Sequence, residues 1–126
     1  MRRTSRILVI GEERSSRGEL SEALEKEGFS VDAFKCAEKG IRAAGRSRPD
    51  LVIITLKTPV SSGMDALGRL KRANPGLKVI LMTKAGSIMT AKRAMMMGAD
   101  DYITRPLDVE HIKNVVQGRP GRWGKA

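Results

Sequence analysis

The chain has 126 residues, 40% of them apolar, which is enough for one domain with one core and too little for two. One cysteine, Cys36, and one histidine, His111, exclude an internal disulfide and a Cys/His zinc site. A formal charge of +10 points to an acidic protein or a polyanion as partner, but four aromatic residues give no stacking platform for single-stranded nucleic acid, so nucleic acid is an unlikely partner for the folded part.

The basic start, Met1 to Arg6, leads into an apolar run of only Ile7 to Ile10. That is far short of a signal peptide or a membrane span, so the expected location is cytoplasmic, without membrane contact. Arg6 to Ile10 predicts a first strand. Ser16 with Glu19 has the spacing of a capping box, opening a helix with Leu20, Ala23 and Leu24 on one face and Gly28 at its end.

Phe29 to Phe34 predicts a second strand. Ala37, Gly40, Ile41 and Ala44 then recur at helical spacing up to Gly45. Asp50 to Leu56 ends in LVIITL between turn-forming residues, which suits a strand buried on both faces. The next helix runs from Gly63 to Ala73 and stops at Asn74-Pro75-Gly76. Lys78 to Met82 follows as a strand, Ser87 to Met97 as a helix ended by Gly98, and Asp101 to Thr104 as the fifth strand. Asp108 caps a last helix that carries Ile112, Val115 and Val116.

Five strands alternate strictly with five helices, which implies right-handed crossovers and a three-layer α/β domain with a parallel sheet. Ligand crevices in such sheets lie at the carboxyl ends of the strands. The residues there are Gly11, Glu12 and Glu13, then Thr55 to Lys57, then Thr83 and Lys84, then Arg105 and Pro106.

Four segments in order, ILVIGEE, PDLVIITLKTP with Gly63, VILMTKAGS and GADDYITRP, make the chain from about residue 6 to 117 resemble receiver domains of two-component response regulators. The stretch Ala85 to Leu107 is most similar to receivers of bacterial enhancer-binding activators. The resemblance implies a flavodoxin-like (βα)5 fold with strand order 2-1-3-4-5. It also implies a phosphorylation pocket in which two acidic residues after the first strand, an acceptor aspartate and a backbone carbonyl hold magnesium.

Carried over residue by residue, the acidic pair falls on Gly11 and Glu12, with Glu13 beside them, the acceptor on Thr55 and the carbonyl on Lys57. The active-site lysine falls on Arg105, the switch hydroxyl on Thr83 and the rotating aromatic on Tyr102. Two of three carboxylates are missing, so magnesium binding is expected to be weak or absent and no other cofactor is expected. A threonine hydroxyl, unlike a carboxylate, must lose a proton before it attacks a phosphoryl group, so the expected module is a pseudo-receiver, not an enzyme. Arg105 is placed to pair with Glu12 or Glu13 where the phosphoryl group would sit; the alternative is a small anion site made by Thr55, Thr83, Lys84 and Arg105.

On the fourth helix, Met89, Lys92, Arg93 and Met96 share an outer stripe while Ile88, Ala91, Ala94 and Met95 face the core. In the family this helix, the fifth strand and the fifth helix form a partner or dimer face, to which Tyr102 and Lys113 are assigned here. Arg69, Lys71 and Arg72 read as a solvated basic face. The domain is expected to span residues 1–117, with 118–126 a flexible basic tail rich in Gly and Pro. The expected function is phosphorylation-independent regulation through protein contacts, as in the N-terminal domain of a bacterial transcriptional regulator. A receiver with an atypical phosphoacceptor and a nucleic-acid binder remain as alternatives.

Overall fold

The computed structural model describes residues 5–56, 62–83, 88–104 and 109–116. Elements follow in the order β1 Arg6–Gly11, α1 Arg14–Lys26, β2 Ser30–Phe34, α2 Ala37–Ser47, β3 Leu51–Leu56, α3 Ser62–Ala73, β4 Lys78–Thr83, α4 Ile88–Met96, β5 Asp101–Thr104 and α5 Val109–Val116. The sheet is parallel throughout, in the order β2-β1-β3-β4-β5.

Alternation along each strand divides the core into two halves. Leu8, Ile10, Val52, Ile54, Val79, Leu81 and Tyr102 pack with α2, α3 and α4 residues, including Ala44, Leu67 and Ala94. Ile7, Val9, Leu51, Ile53, Ile80, Met82 and Ile103 pack with Leu20, Leu24, Ile112 and Val115 from α1 and α5. β1, β3 and β4 are therefore apolar at every central position, because both faces are covered. Each fully buried aliphatic side chain contributes about 1.5–3 kcal/mol, so truncating one such as Leu51 costs about 2–5 kcal/mol.

Helix boundaries differ from the sequence reading in two places. Ser16 is not the cap of α1: the cap lies three residues earlier, at Glu13, whose backbone is extended. Ser16, the third residue of α1, instead donates its hydroxyl to Glu13 Oε1, and it is buried against the sheet one turn before Leu20. Gly45 does not end α2 either; the helix runs on to Ser47 and leaves through Arg48, whose φ of 47° is left-handed and whose N–H bonds the Ala44 carbonyl at 3.1 Å. Pro49 supplies the reason, since a proline disfavours helical geometry in the residue before it. Gly28 and Gly98 end α1 and α4 as expected, at φ of 93° and 101°.

The α3 basic run is only partly solvated. Arg72 is exposed, and Arg69 makes a bidentate pair with Glu38 of α2. The Lys71 side chain, 16% exposed, lies along the end of α3, where its Nζ donates to the Leu77 carbonyl and to Asp100 Oδ2 at 3.1 Å. Asp100 also accepts the Val79 N–H at 2.8 Å, which ties the entry of β5 to β4. A lysine that satisfies a carbonyl and a half-buried carboxylate has left the solvent for a reason that helical spacing does not reveal.

Candidate functional site

Register brings the carboxyl ends of the central strands together. Gly11 lies opposite Thr55, Thr55 opposite Met82, Leu56 opposite Thr83, and Thr83 opposite Thr104. Of the pocket residues named from sequence, Gly11, Glu12, Glu13, Thr55 and Thr83 are thus placed on one crevice. Lys57, Lys84 and Arg105 lie outside the described residues, and with them the Arg105 pairing and the four-residue anion site.

The crevice is built around a close approach. A Cβ on Gly11 would stand 2.0 Å from Thr55 Oγ1 and 3.3 Å from Thr55 Cβ, so the threonine hydroxyl fills the space that any side chain at position 11 must enter. Glu12 is exposed, Glu13 is half-buried and bonded by Ser16, and Thr83 is 2% exposed. Arg17, which the sequence reading passed over, donates from Nη1 to the Gly11 carbonyl at 2.7 Å and the Glu12 carbonyl at 3.4 Å. The signal was its place four residues after Glu13, one turn into α1, where a long cation can reach back over the end of β1. The described part of the crevice therefore presents Glu12, the Thr55 hydroxyl and a half-buried guanidinium, with Thr83 buried beneath.

The outer stripe of α4 has the expected orientation. Met89 and Met96 are 81% and 87% exposed, Lys92 and Arg93 are exposed between them, and Ala91 and Ala94 are buried. The side chain of Ile88 is not among those described. Two residues assigned to the same face are placed elsewhere. Tyr102 is 1% exposed, its ring inside the core half that α4 covers, because even positions of β5 point to that layer. Lys113 turns toward α1, with Nζ 2.7 Å from Glu27 and 3.4 Å from Glu110. Those two carboxylates hold its ammonium above the usual lysine range, the Glu27 hydrogen bond contributing most.

Beside Tyr102, Asp101 is fully buried on the opposite face of β5 and faces α5, where His111 Nε2 lies 2.6 Å from its Oδ2. Asp101 Oδ1 accepts the Tyr102 N–H at 2.9 Å. One carboxylate thus links the backbone of the aromatic to the last helix. A lone histidine has no metal-binding pattern in the sequence, and only the fold brings His111 against Asp101.

Among the described residues no helix is long and apolar enough to cross a membrane. Residues 7–117 match the family model described as response regulator receiver domain. The probable transcriptional regulatory protein TcrX of Mycobacterium tuberculosis is 34% identical over 84% of this chain and 45% of its own length. The DNA-binding transcriptional regulator NtrC of Azospirillum brasilense is 31% identical over 88% of this chain and 23% of its own. The chain spans less than half of each of these relatives. Among solved structures, a CheY-like response regulator receiver domain protein from Methanospirillum hungatei superposes with a TM-score of 0.82 at 25% identity, covering 92% of this chain and 96% of that one.

Proposed function

The chain belongs to the response regulator receiver family, and from that premise we propose that it works as a regulatory module that does not depend on phosphorylation. The observation that carries this reading is the Gly11–Thr55 contact. Where the family's acceptor aspartate falls, this chain has a neutral alcohol, and that alcohol's oxygen occupies the room a carboxylate at position 11 needs. Transfer of a phosphoryl group to Thr55 requires a base to remove its proton, and the only histidine, His111, is engaged by Asp101.

The residues present do not fit magnesium. The ion takes hard oxygen ligands in octahedral geometry, usually with one or two carboxylates. Gly11 supplies none, Glu12 alone stands exposed, and the Arg17 guanidinium sits on the Gly11 carbonyl, so a divalent cation meets positive charge at the rim. With no phosphate to switch it, Tyr102 stays packed in the core beneath α4 and the α4 stripe alone forms the standing surface. Met89 and Met96 supply adaptable apolar contact there, with Lys92 and Arg93 between them. The partner is a protein or an attached effector domain; relatives named as transcriptional regulators support an effector that acts in transcription.

Incubation with acetyl phosphate and magnesium, followed by intact-mass measurement, tests the reading. The expected spectrum is unchanged. A stoichiometric phosphate adduct on any residue of the crevice would overturn the proposal and favour the atypical phosphoacceptor. DNA affinity that falls steeply with salt and disappears with Lys92→Glu and Arg93→Glu would assign the α4 surface to nucleic acid.

A further inference from the structure

Among the described residues the parallel sheet ends at β2, and that edge strand runs beside a row of cations. Ser30 donates its N–H to the Ser5 carbonyl at 2.9 Å, so residues 30, 32 and 34 direct their backbone groups to β1, and the alternation turns those of Val31 and Ala33 outward. Next to this edge, Asp32 and Phe34 of β2 and Lys39, Arg42, Ala43, Arg46 and Ser47 of α2 line a groove of about 380 Å³.

Lys39, Arg42 and Arg46 recur at i, i+3 and i+7, one stripe of α2, and all three are exposed. None of them makes an ion pair within 4 Å among the described residues, although Arg42 lies one turn after Glu38 and helps to hold its carboxyl low. Glu38, the acid on their own helix, is taken by Arg69 on the α3 side, and Asp32 has Arg6 3.9 Å away. Phe34 and Ala43 give the groove a small apolar floor. An open strand edge, a floor and an unbalanced cationic wall together specify an occupant that is extended, has a backbone to pair and is negatively charged.

We propose that the β2 edge and the α2 stripe form a second docking site, which takes an acidic, extended segment of a protein partner as a sixth strand. Along an extended segment, side chains on one face recur about every 6.6 Å, whereas Lys39 to Arg46 covers about 10 Å of helix axis. Two or three alternate acidic residues therefore face the stripe in one register. Backbone bonds from Val31 and Ala33 supply affinity, and the cations select the partner. A second copy of the chain is the wrong occupant, because pairing two β2 edges sets two cationic rows against each other. The site is independent of the α4 surface, and either can fail without the other.

The test uses a fluorescein-labelled eight-residue peptide alternating glutamate with threonine. Fluorescence anisotropy at low salt is expected to show binding that weakens at least tenfold in the triple variant Lys39→Glu, Arg42→Glu, Arg46→Glu, whose exposed positions leave the fold intact by circular dichroism. Lys92→Glu with Arg93→Glu leaves the affinity within twofold. Hydrogen exchange followed by NMR is expected to slow at the Val31 and Ala33 amides when the peptide is bound. Absence of binding at millimolar peptide overturns the proposal, as does binding that follows the α4 charges or leaves both amides unprotected. A twelve-base-pair DNA duplex that binds more tightly than the peptide, with the same loss in the α2 variant, overturns it in favour of a nucleic-acid face.

Discussion

The Gly11–Thr55 contact makes a prediction whose sign alone is informative. Replacing a glycine by alanine where the backbone permits stabilises a protein by about 0.4–1 kcal/mol, because the unfolded chain loses freedom. In Gly11→Ala the new Cβ lands 2.0 Å from Thr55 Oγ1, about 1.4 Å inside the distance at which ordinary contact begins. Thr55 is β-branched and held in the strand, so its hydroxyl can leave only by changing rotamer against its neighbours. Overpacking of this kind costs about 1–3 kcal/mol, which outweighs the gain. With a urea slope of about 1–2 kcal/mol per M, the unfolding midpoint is expected to fall by about 1 M. Thr55→Ala removes the obstructing oxygen, so the double variant recovers most of the loss, with a coupling of about 1–2 kcal/mol in a double-mutant cycle. A Gly11→Ala midpoint at or above wild type, or two effects that simply add, refutes the matched-pair argument.

Three further outcomes are expected. His111→Ala leaves the buried Asp101 carboxylate without its α5 contact and lowers stability by about 1–3 kcal/mol in urea unfolding; a change under about 0.5 kcal/mol means that the contact contributes little. The Cys36 thiol is held below the ordinary cysteine range by the backbone N–H groups of Lys39 and Glu38 at the start of α2, so more of it is thiolate at neutral pH. Iodoacetamide should then label Cys36 faster at pH 7 than it labels glutathione, and an equal rate counts against the helix-terminus effect. The Arg69 hydrogen bond holds the Glu38 carboxyl below its usual range, so the contribution of this pair is present above the unfolded glutamate value and is lost as pH falls through the lowered folded value. The difference in unfolding midpoint between wild type and Arg69→Ala is therefore expected to be widest at neutral pH and to shrink below about pH 4; a difference that stays constant would assign the effect to packing.

The layer architecture was legible because both faces of the sheet are covered, which writes β1, β3 and β4 as unbroken apolar runs between amphipathic helices. The α4 stripe was legible for a related reason: Ala91 and Ala94 mark the inner side by size, which leaves Met89 and Met96 outside. What sequence did not reveal depends on contacts between distant residues. Lys71 in a charge run resembles any solvated lysine until β4 and β5 bring Leu77 and Asp100 to its ammonium. Lys113 has Glu110 one turn before it, but Glu27 reaches it only through the packing of α5 beside α1. Tyr102 has a polar tip that suits either a surface or a core, and strand parity, not residue type, sends it inward.

If the pocket takes no phosphate, as proposed, the same contact sets what a phosphoacceptor variant needs. Thr55→Asp alone restores a carboxylate at the end of β3, but leaves Glu12 as its only acidic neighbour at the carried-over positions and Arg17 on the Gly11 carbonyl. Gly11→Asp alone drives a side chain into the Thr55 hydroxyl. Each single step therefore adds strain or unbalanced charge without completing a site for the ion, whereas the two together supply the carboxylate oxygens that the carried-over positions lack.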